Sequence, residues 1–232
     1  MDTSLPAALG VGFVLGVRHA MDADHVAALS TLVTRHRSLT RSCLLGAFWG
    51  AGHTAALLAA GVAVMVFKLT ITPEWEQRFE MAVAAVLALL GGHVLLRALR
   101  GFTLHRHEHS HDGQAHHHLH LHLGDVEPPG HVHVFQFGAR PFLVGLVHGM
   151  AGSAALMLLV VAASPSLLAG VLYILVFGIG STVGMLVLSG LIGIPFAATS
   201  GRAPRLHAAV QVVAGLASVT LGLALIWDLG GS

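Results

Sequence analysis

The sequence predicts an all-α polytopic membrane protein whose six transmembrane helices form a 3+3 inverted repeat. Of its 232 residues, 55% are hydrophobic and only 10% are charged, whereas an average soluble domain has about 25% charged residues. Six apolar runs are long enough to cross a bilayer, which takes about 20 helical residues. Two short motifs also recur in the second half of the chain. The runs cover residues 5–33, 42–67, 73–99, 141–163, 166–195 and 205–229.

The apolar runs differ in length and in how they begin. The first and fifth are longer than a straight crossing needs, so we expect each to tilt, kink or protrude. The third begins at Thr72–Pro73–Glu74, which combines a capping residue, a proline in the first turn and an acid near the positive end of the helix dipole. The second, fourth and sixth runs each fit a single crossing.

These runs divide the chain into three parts. Residues 1–100 hold the first three-helix repeat, and residues 140–232 hold the second. Between them, residues 101–139 form a loop rich in His, Gly and Pro. We expect this loop to be disordered, because its composition cannot bury a core.

The positions of Lys and Arg predict the orientation, since cytoplasmic loops carry an excess of both. Only Lys68 and Arg78 fall on one side of the predicted membrane, and Arg18 lies within a span. The other nine fall on the opposite side: Arg35, Arg37, Arg41, Arg97, Arg100, Arg106, Arg140, Arg202 and Arg205. We therefore expect a cytoplasmic (inner) membrane protein with both termini outside and the His-rich loop in the cytoplasm.

A weak internal repeat relates the two halves. The segment Gly16–Met21 resembles Gly145–Met150 at an offset of 129, and Gly50–Thr54 resembles Gly178–Thr182 at an offset of 128. Because each unit has an odd number of spans, the two units would be inverted in the membrane. Many secondary transporters are built this way, with the substrate site at the repeat interface near the midplane.

Four ionisable side chains that can bind a metal interrupt the first apolar run, namely His19, Asp22, Asp24 and His25. Such groups are costly at membrane depth and usually have a function there. Imidazoles and carboxylates are ligands for divalent metals, although a hydrogen-bond network with Arg18 that only ties helices together remains the alternative. On a straight helix His19, Asp22 and His25 share one face, and Asp24 lies about 140° from His19. Asp24 therefore either serves another helix or is brought round by a distorted backbone.

The segment Arg18–His25, with the spacing His19-x4-Asp24-His25, resembles the signature of the nickel/cobalt transporter (NiCoT) family. Gly52-His53-Thr54 is similar to a second motif of that family, and Gly145–Ala155 resembles the short, six-span urease-accessory-type nickel permeases. The resemblance implies uptake of divalent nickel or cobalt, with His19, Asp24 and His25 at the metal site. It also implies cytoplasmic nickel chaperones or urease maturation proteins as partners.

Two further histidines lie in apolar spans. A lone intramembrane histidine is more often a neutral residue bonded to a carbonyl, but His53 belongs to a motif beside the cluster, and His148 is the repeat mate of His19. We therefore include both as candidate ligands. The predicted metal site consists of His19, Asp22, Asp24, His25, His53 and His148.

The loop holds eleven of the eighteen histidines. A His-rich tract is a compositional signal for metal binding, and we expect a cytoplasmic buffer or sensor that is dispensable for translocation. These residues are His105, His107, His109, His111, His116, His117, His118, His120, His122, His131 and His133.

The predicted function is secondary uptake of Ni²⁺, or Co²⁺, with the ion as transported substrate and no permanently bound cofactor. The sequence has no P-loop motif and no basic arm, so we expect neither ATP nor nucleic acid as a partner, only the ion and the lipid bilayer. Efflux is one alternative. An intramembrane metal-dependent hydrolase is another, although no His-Glu-x-x-His motif is present.

Overall fold

The computed structural model describes residues 4–34, 38–69, 72–100, 104–111, 114–121, 134–151, 164, 166–199 and 203–231. Within these ranges the chain forms seven helices and one pair of strands. The helices are α1 (Ser4–His19), α2 (Ala23–Val33), α3 (Leu39–Phe67), α4 (Pro73–Arg100), α5 (Val134–His148), α6 (Leu167–Thr199) and α7 (Pro204–Gly230). The strands are β1 (Leu104–His111) and β2 (Gln114–Leu121).

The prediction of a helical membrane protein is confirmed, and the number of spans stays a prediction. In the described part of the chain, four helices are long and apolar enough to cross a bilayer, namely α3, α4, α6 and α7. Large apolar side chains such as Leu89, Leu168 and Trp227 face outward from them, as lipid contact requires. Residues 152–163 of the fourth predicted span lie outside the described residues.

The first predicted span is two helices instead of one. Helix α1 ends at His19, where the amides of Met21 and Asp22 bond to carbonyls only three residues back. Asp22 has an extended backbone, with φ −62° and ψ 146°, and its carbonyl accepts the first bond of α2 from the amide of Val26. A broken helix is tolerated at membrane depth where the break is buried in protein or lines a cavity.

Four helix pairs make up most of the packing: α3 with α6, α4 with α7, α1 with α6, and α3 with α5. The largest buried apolar cluster joins α2, α3, α4 and α6 and includes Leu29, Trp49, Leu87 and Met185. The break between α1 and α2 therefore lies against the α3–α6 pair and beside α5.

Glycines allow α3 to meet α5, and α6 to meet α1, at backbone contact. A Cβ on Gly52 would collide with the carbonyl oxygen of Phe142, and a Cβ on Gly180 would collide with that of Phe13. Gly180 follows Gly52 by 128 positions, and Phe142 follows Phe13 by 129. The same contact between the two halves thus occurs twice, with the roles of the halves exchanged.

A second pair of contacts follows the same offsets. Gly16 of α1 lies against the carbonyl of Phe177 in α6, and Gly145 of α5 lies against the carbonyl of Trp49 in α3. Small residues at such crossings are typical of helices that pack closely in membranes. The packing of α1 on α6 is therefore repeated by the packing of α5 on α3.

The His-rich loop has more regular backbone than we expected. Strands β1 and β2 pair antiparallel, with Leu104 opposite Leu121 and His111 opposite Gln114, and α5 already begins at Val134, inside the predicted loop. The physical reason is visible in the sequence. Histidine alternates with other residues along β1, which suits the period of a strand, and the connection is Asp112–Gly113, a strong hairpin signal.

Candidate metal centre

Four buried histidines meet where the break between α1 and α2 faces α3 and α5. His19 is the last residue of α1, and His25 is the third residue of α2. His53 lies in the middle of α3, and His148 is the last residue of α5. Their side chains are between 1% and 8% exposed. Burying four imidazoles away from water costs free energy unless their polar nitrogens find partners.

His19 is oriented by a carboxylate. Its Nδ1 lies 2.8 Å from Oδ2 of Asp22, and its Nε2 lies 3.0 Å from Nε2 of His53. When Nδ1 donates its proton to Asp22, the lone pair of Nε2 points at His53. A carboxylate behind an imidazole in this way is the usual outer-shell support of a metal ligand. Asp22 therefore orients the His19 ring. Its backbone is also the N-cap of α2, and its side chain makes no capping hydrogen bond there.

His25 is central to the cluster. Its ring centroid lies 4.5 Å from that of His19, 5.2 Å from that of His53 and 4.7 Å from that of His148. Its Nδ1 is 3.2 Å from Oδ1 of Asp24, but without the geometry of a hydrogen bond, and neither ring nitrogen has a hydrogen-bond partner. Two nitrogens without a hydrogen bond, on a ring that is 1% exposed and beside a carboxylate, suit a residue that binds an ion.

Asp24 reaches across to α5. Its Oδ2 lies 2.8 Å from Nε2 of His148, which donates the hydrogen bond when Nε2 carries the proton. On an unbroken helix this carboxylate would point away from His19. The break brings it round to the same cluster, so both possibilities left by the sequence hold together: the backbone is distorted and Asp24 serves another helix. Among the described residues, no ion pair joins Arg18 to either aspartate.

The described side chains form two groups that could each hold a metal ion. One is His19, His25 and His53, and the other is Asp24, His25 and His148. Within each group the candidate ligand atoms all lie within 4.8 Å of one another. Five of the six predicted site residues are thus brought together as possible ligands. The sixth, Asp22, has a side chain that is 49% exposed and stands behind His19.

The sequence analysis missed two aromatic residues beside the histidines. The Trp49 ring lies 5.3 Å from His25 and 5.2 Å from His148, and the Phe177 ring lies 5.5 Å from His19. The Trp49 Nε1 is buried without a hydrogen-bond partner. Aromatic residues in apolar runs carry no signal of their own. However, Phe177 follows Trp49 by 128 positions, so the repeat offset could have found the pair.

The predicted loop histidines lie apart from this centre in sequence, and the structure describes only the backbone of eight of them. His105, His107, His109 and His111 lie on β1, while His116, His117, His118 and His120 lie on β2. His122, His131 and His133 lie outside the described residues. Their metal binding stays a prediction.

Comparison with known proteins places this geometry in a family. Residues 6–226 match the profile of the NicO family, described as high-affinity nickel-transport protein. The chain is 38% identical to the urease accessory protein UreH of Bacillus sp. (strain TB-90), over 99% of this chain and 94% of that protein. No solved structure is significantly similar to this chain.

Two plant proteins are more distant relatives. The chloroplast proteins FOR GROWTH AND FERTILITY 2 and 1 of Arabidopsis thaliana are each 26% identical, over 97% and 93% of this chain but only 58% and 57% of their own lengths. The alternative of an intramembrane hydrolase is wrong, because the profile that covers most of the chain describes transporters. The chain belongs to the NicO family of nickel-transport proteins and is a membrane permease, not an enzyme.

Proposed function

We propose that this protein is a secondary transporter that takes up Ni²⁺, and also Co²⁺, across the cytoplasmic membrane through its buried His/Asp centre. The observation that carries the proposal is the cluster at the helix break, where His25 is buried, Nδ1 faces the Asp24 carboxylate at 3.2 Å and neither ring nitrogen makes a hydrogen bond. Imidazole and carboxylate suit divalent transition metals, and affinity for nickel exceeds that for cobalt in the Irving–Williams order. The ion exchanges its hydration water for these side chains.

The membrane potential is sufficient to drive uptake. Two positive charges that move to the negative side gain about 4.6 kcal/mol for each 100 mV. Since a tenfold change in an equilibrium constant corresponds to about 1.4 kcal/mol, this gain supports accumulation by more than about a thousandfold. No ATP is needed.

We propose further that the halves are inverted repeats that move against each other around the centre. The paired glycine contacts support this, because each one joins the two halves and recurs with the roles of the halves exchanged, at offsets of 128 and 129. Thr54 and Thr182 support it as well. These residues are 128 positions apart, and their Oγ1 atoms lie 3.3 Å from each other. A residue touches its own mate only close to the axis that relates two halves.

The histidine hairpin is the proposed cytoplasmic collection site. The cross-strand pairs His105–His120, His107–His118 and His109–His116 are two residues apart along each strand, so they share one face of the hairpin. Residues directly opposite each other are the nearest cross-strand neighbours in such a pair, so these three pairs are the proposed positions of ion binding. We call His105, His107, His109, His111, His116, His118 and His120 the histidine face.

A cytoplasmic nickel-binding protein is the proposed recipient of the ion. The name of the relative UreH, a urease accessory protein, supports a chaperone or urease maturation protein in this role. Ions that are weakly bound to the hairpin on the cytoplasmic side can be removed by such a partner, which competes with the hairpin for them.

The test is nickel accumulation in cells and in vesicles that contain the purified protein. Cells that express the protein should gain nickel, and His25→Ala should abolish the gain because it removes the central imidazole. His93→Ala is the matched control, since His93 is an exposed histidine of α4. Lower nickel in expressing cells would assign efflux instead, and uptake unchanged by His25→Ala would reject the site.

A further inference from the structure

The two possible donor groups share one residue. Three imidazoles, those of His19, His25 and His53, make the first group, which we call position 1. Asp24 and His148 make the second group together with the same His25, and we call it position 2. A ring that belongs to both groups can serve two neighbouring ion positions in turn.

The short contacts within the centre also fall into two groups, one within each position. Within position 1, Nε2 of His19 is 3.0 Å from Nε2 of His53. Within position 2, Nε2 of His148 is 2.8 Å from Oδ2 of Asp24. The ring of His25 lies about equally far from His19 and His148, at 4.5 Å and 4.7 Å between centroids.

One ring nitrogen of His25 faces position 2, and the ring has a second nitrogen on its other side. Neither nitrogen has a hydrogen-bond partner, and Nδ1 is the one that lies 3.2 Å from Asp24. The two lone-pair directions of an imidazole diverge widely, so a nitrogen that faces Asp24 leaves the other to face away from it. The ion can therefore change sides of this ring without displacing the ring itself.

The inverted repeat proposed above would place the two positions at different depths. His148 follows His19 by 129 positions. The aromatic residues beside these histidines are repeat mates as well, because Phe177, beside His19, follows Trp49, beside His148, by 128 positions. If the halves are inverted about an axis in the membrane plane, such mates lie on opposite sides of that axis along the membrane normal. Positions 1 and 2 are then arranged in sequence along the direction of transport.

We infer that the centre is a two-step relay, in which an ion bound at position 1 passes to position 2 by ligand exchange on His25. Position 1 offers only imidazole ligands, whereas position 2 contains the carboxylate of Asp24, so the ion gains a carboxylate ligand as it advances. Three protein ligands at each position leave room for incoming ligands or water. Conduction requires several sites that each bind weakly enough to release the ion. This inference rests on the proposed transport function.

The test locates nickel by anomalous scattering at the nickel edge in crystals of the full-length protein. The wild type should show two partly occupied positions that share His25. His148→Ala should remove the density at position 2 and leave position 1, and His53→Ala should do the reverse. His25→Ala should empty both, while His93→Ala, the control on α4, should change neither.

Flux through vesicles separates failure of the relay from failure of the proposed function. His53→Ala and His148→Ala should each retain bound nickel at the remaining position but lose at least about tenfold of the flux, which is the loss expected even when only the support of a metal ligand is removed. A single ion bound to both groups at once, and lost equally in His53→Ala and His148→Ala, would overturn the relay while the wild type still transports nickel. No nickel flux in the wild type would overturn the proposed function itself.

Discussion

Four of the five candidate ligands lie in the first half of the chain, and the second half contributes His148 and repeats the packing around them. At the repeat offsets, Asp22 corresponds to Ala151, Asp24 to Ser153, His25 to Ala154 and His53 to Ser181. Only His19 has a mate of the same type, His148. The glycine contacts, in contrast, are present in both halves. The constraint on close packing thus applies to both halves, while the constraint on metal chemistry applies mainly to one.

The largest difference in nickel flux should appear between two separate variants, in which His53 and its repeat mate Ser181 are each truncated to Ala. His53→Ala removes a buried ligand of position 1 and should lower nickel flux by more than about 100-fold, the upper end of what loss of outer-shell support costs. Ser181→Ala removes a hydroxyl whose contact is a 4.0 Å approach to the Met185 sulfur, and flux should stay near that of the wild type. Radioactive nickel flux into vesicles measures both. Equal losses would mean that the halves share the ligand role.

Mutations in the shared packing should affect both halves alike. Gly52→Ala and Gly180→Ala each place a Cβ against a backbone carbonyl, and overpacking of this kind costs about 1–3 kcal/mol of stability. We expect thermal unfolding of the purified protein to shift downward by several degrees in both variants. Gly92→Ala is the control, because a Cβ there meets nothing within 4 Å. A large shift in only one of the mates would contradict the equivalence of the two contacts.

Asp22 should matter less than the ligands that it supports. Asp22→Asn keeps the shape of the side chain but weakens its hold on Nδ1 of His19, and nickel affinity should fall by about 10–100-fold. Flux measured at graded nickel concentrations gives the change in apparent affinity. The maximal flux of Asp22→Asn should fall less than that of His53→Ala. A complete loss of transport in Asp22→Asn would show that Asp22 binds the ion directly.

The smallest effect on flux should come from the histidine face. Replacing its seven histidines by Gln should leave flux through vesicles near the wild-type rate, because the hairpin lies outside the centre in sequence. The same variant should bind less nickel in equilibrium dialysis. Replacement of His122, His131 and His133 is the control, and it should lower bound nickel less because these residues lie outside β1 and β2. A flux defect as large as that of His53→Ala would make the hairpin part of the route.

Much of the centre follows from local sequence. Two aspartates and two histidines within seven residues of an apolar run predicted a buried ion site, and the repeat offset predicted His148 as a further member. The contact between Asp24 and His148 joins residues 124 positions apart and depends on how α5 packs against the break. A helical wheel assumes an unbroken helix, so it could not show that His19, Asp24 and His25 reach one cluster.

The sequence of the His-rich loop carries a signal for the hairpin as well. The Asp112–Gly113 connection and the alternating histidines predict the hairpin, but a composition rich in His, Gly and Pro suggested disorder. The start of α5 at Val134 has no capping signal in the sequence. The number of spans, the orientation of the termini and the cytoplasmic position of the loop stay predictions.

The most direct test of the central claim is nickel flux into vesicles of known orientation under an imposed membrane potential. We predict flux toward the compartment that faces the histidine hairpin. A negative potential in that compartment should accelerate the flux, and His25→Ala should abolish it. Flux of the same size in His25→Ala, or no response of the wild-type flux to the potential, would contradict passage of a divalent ion through the buried histidine centre.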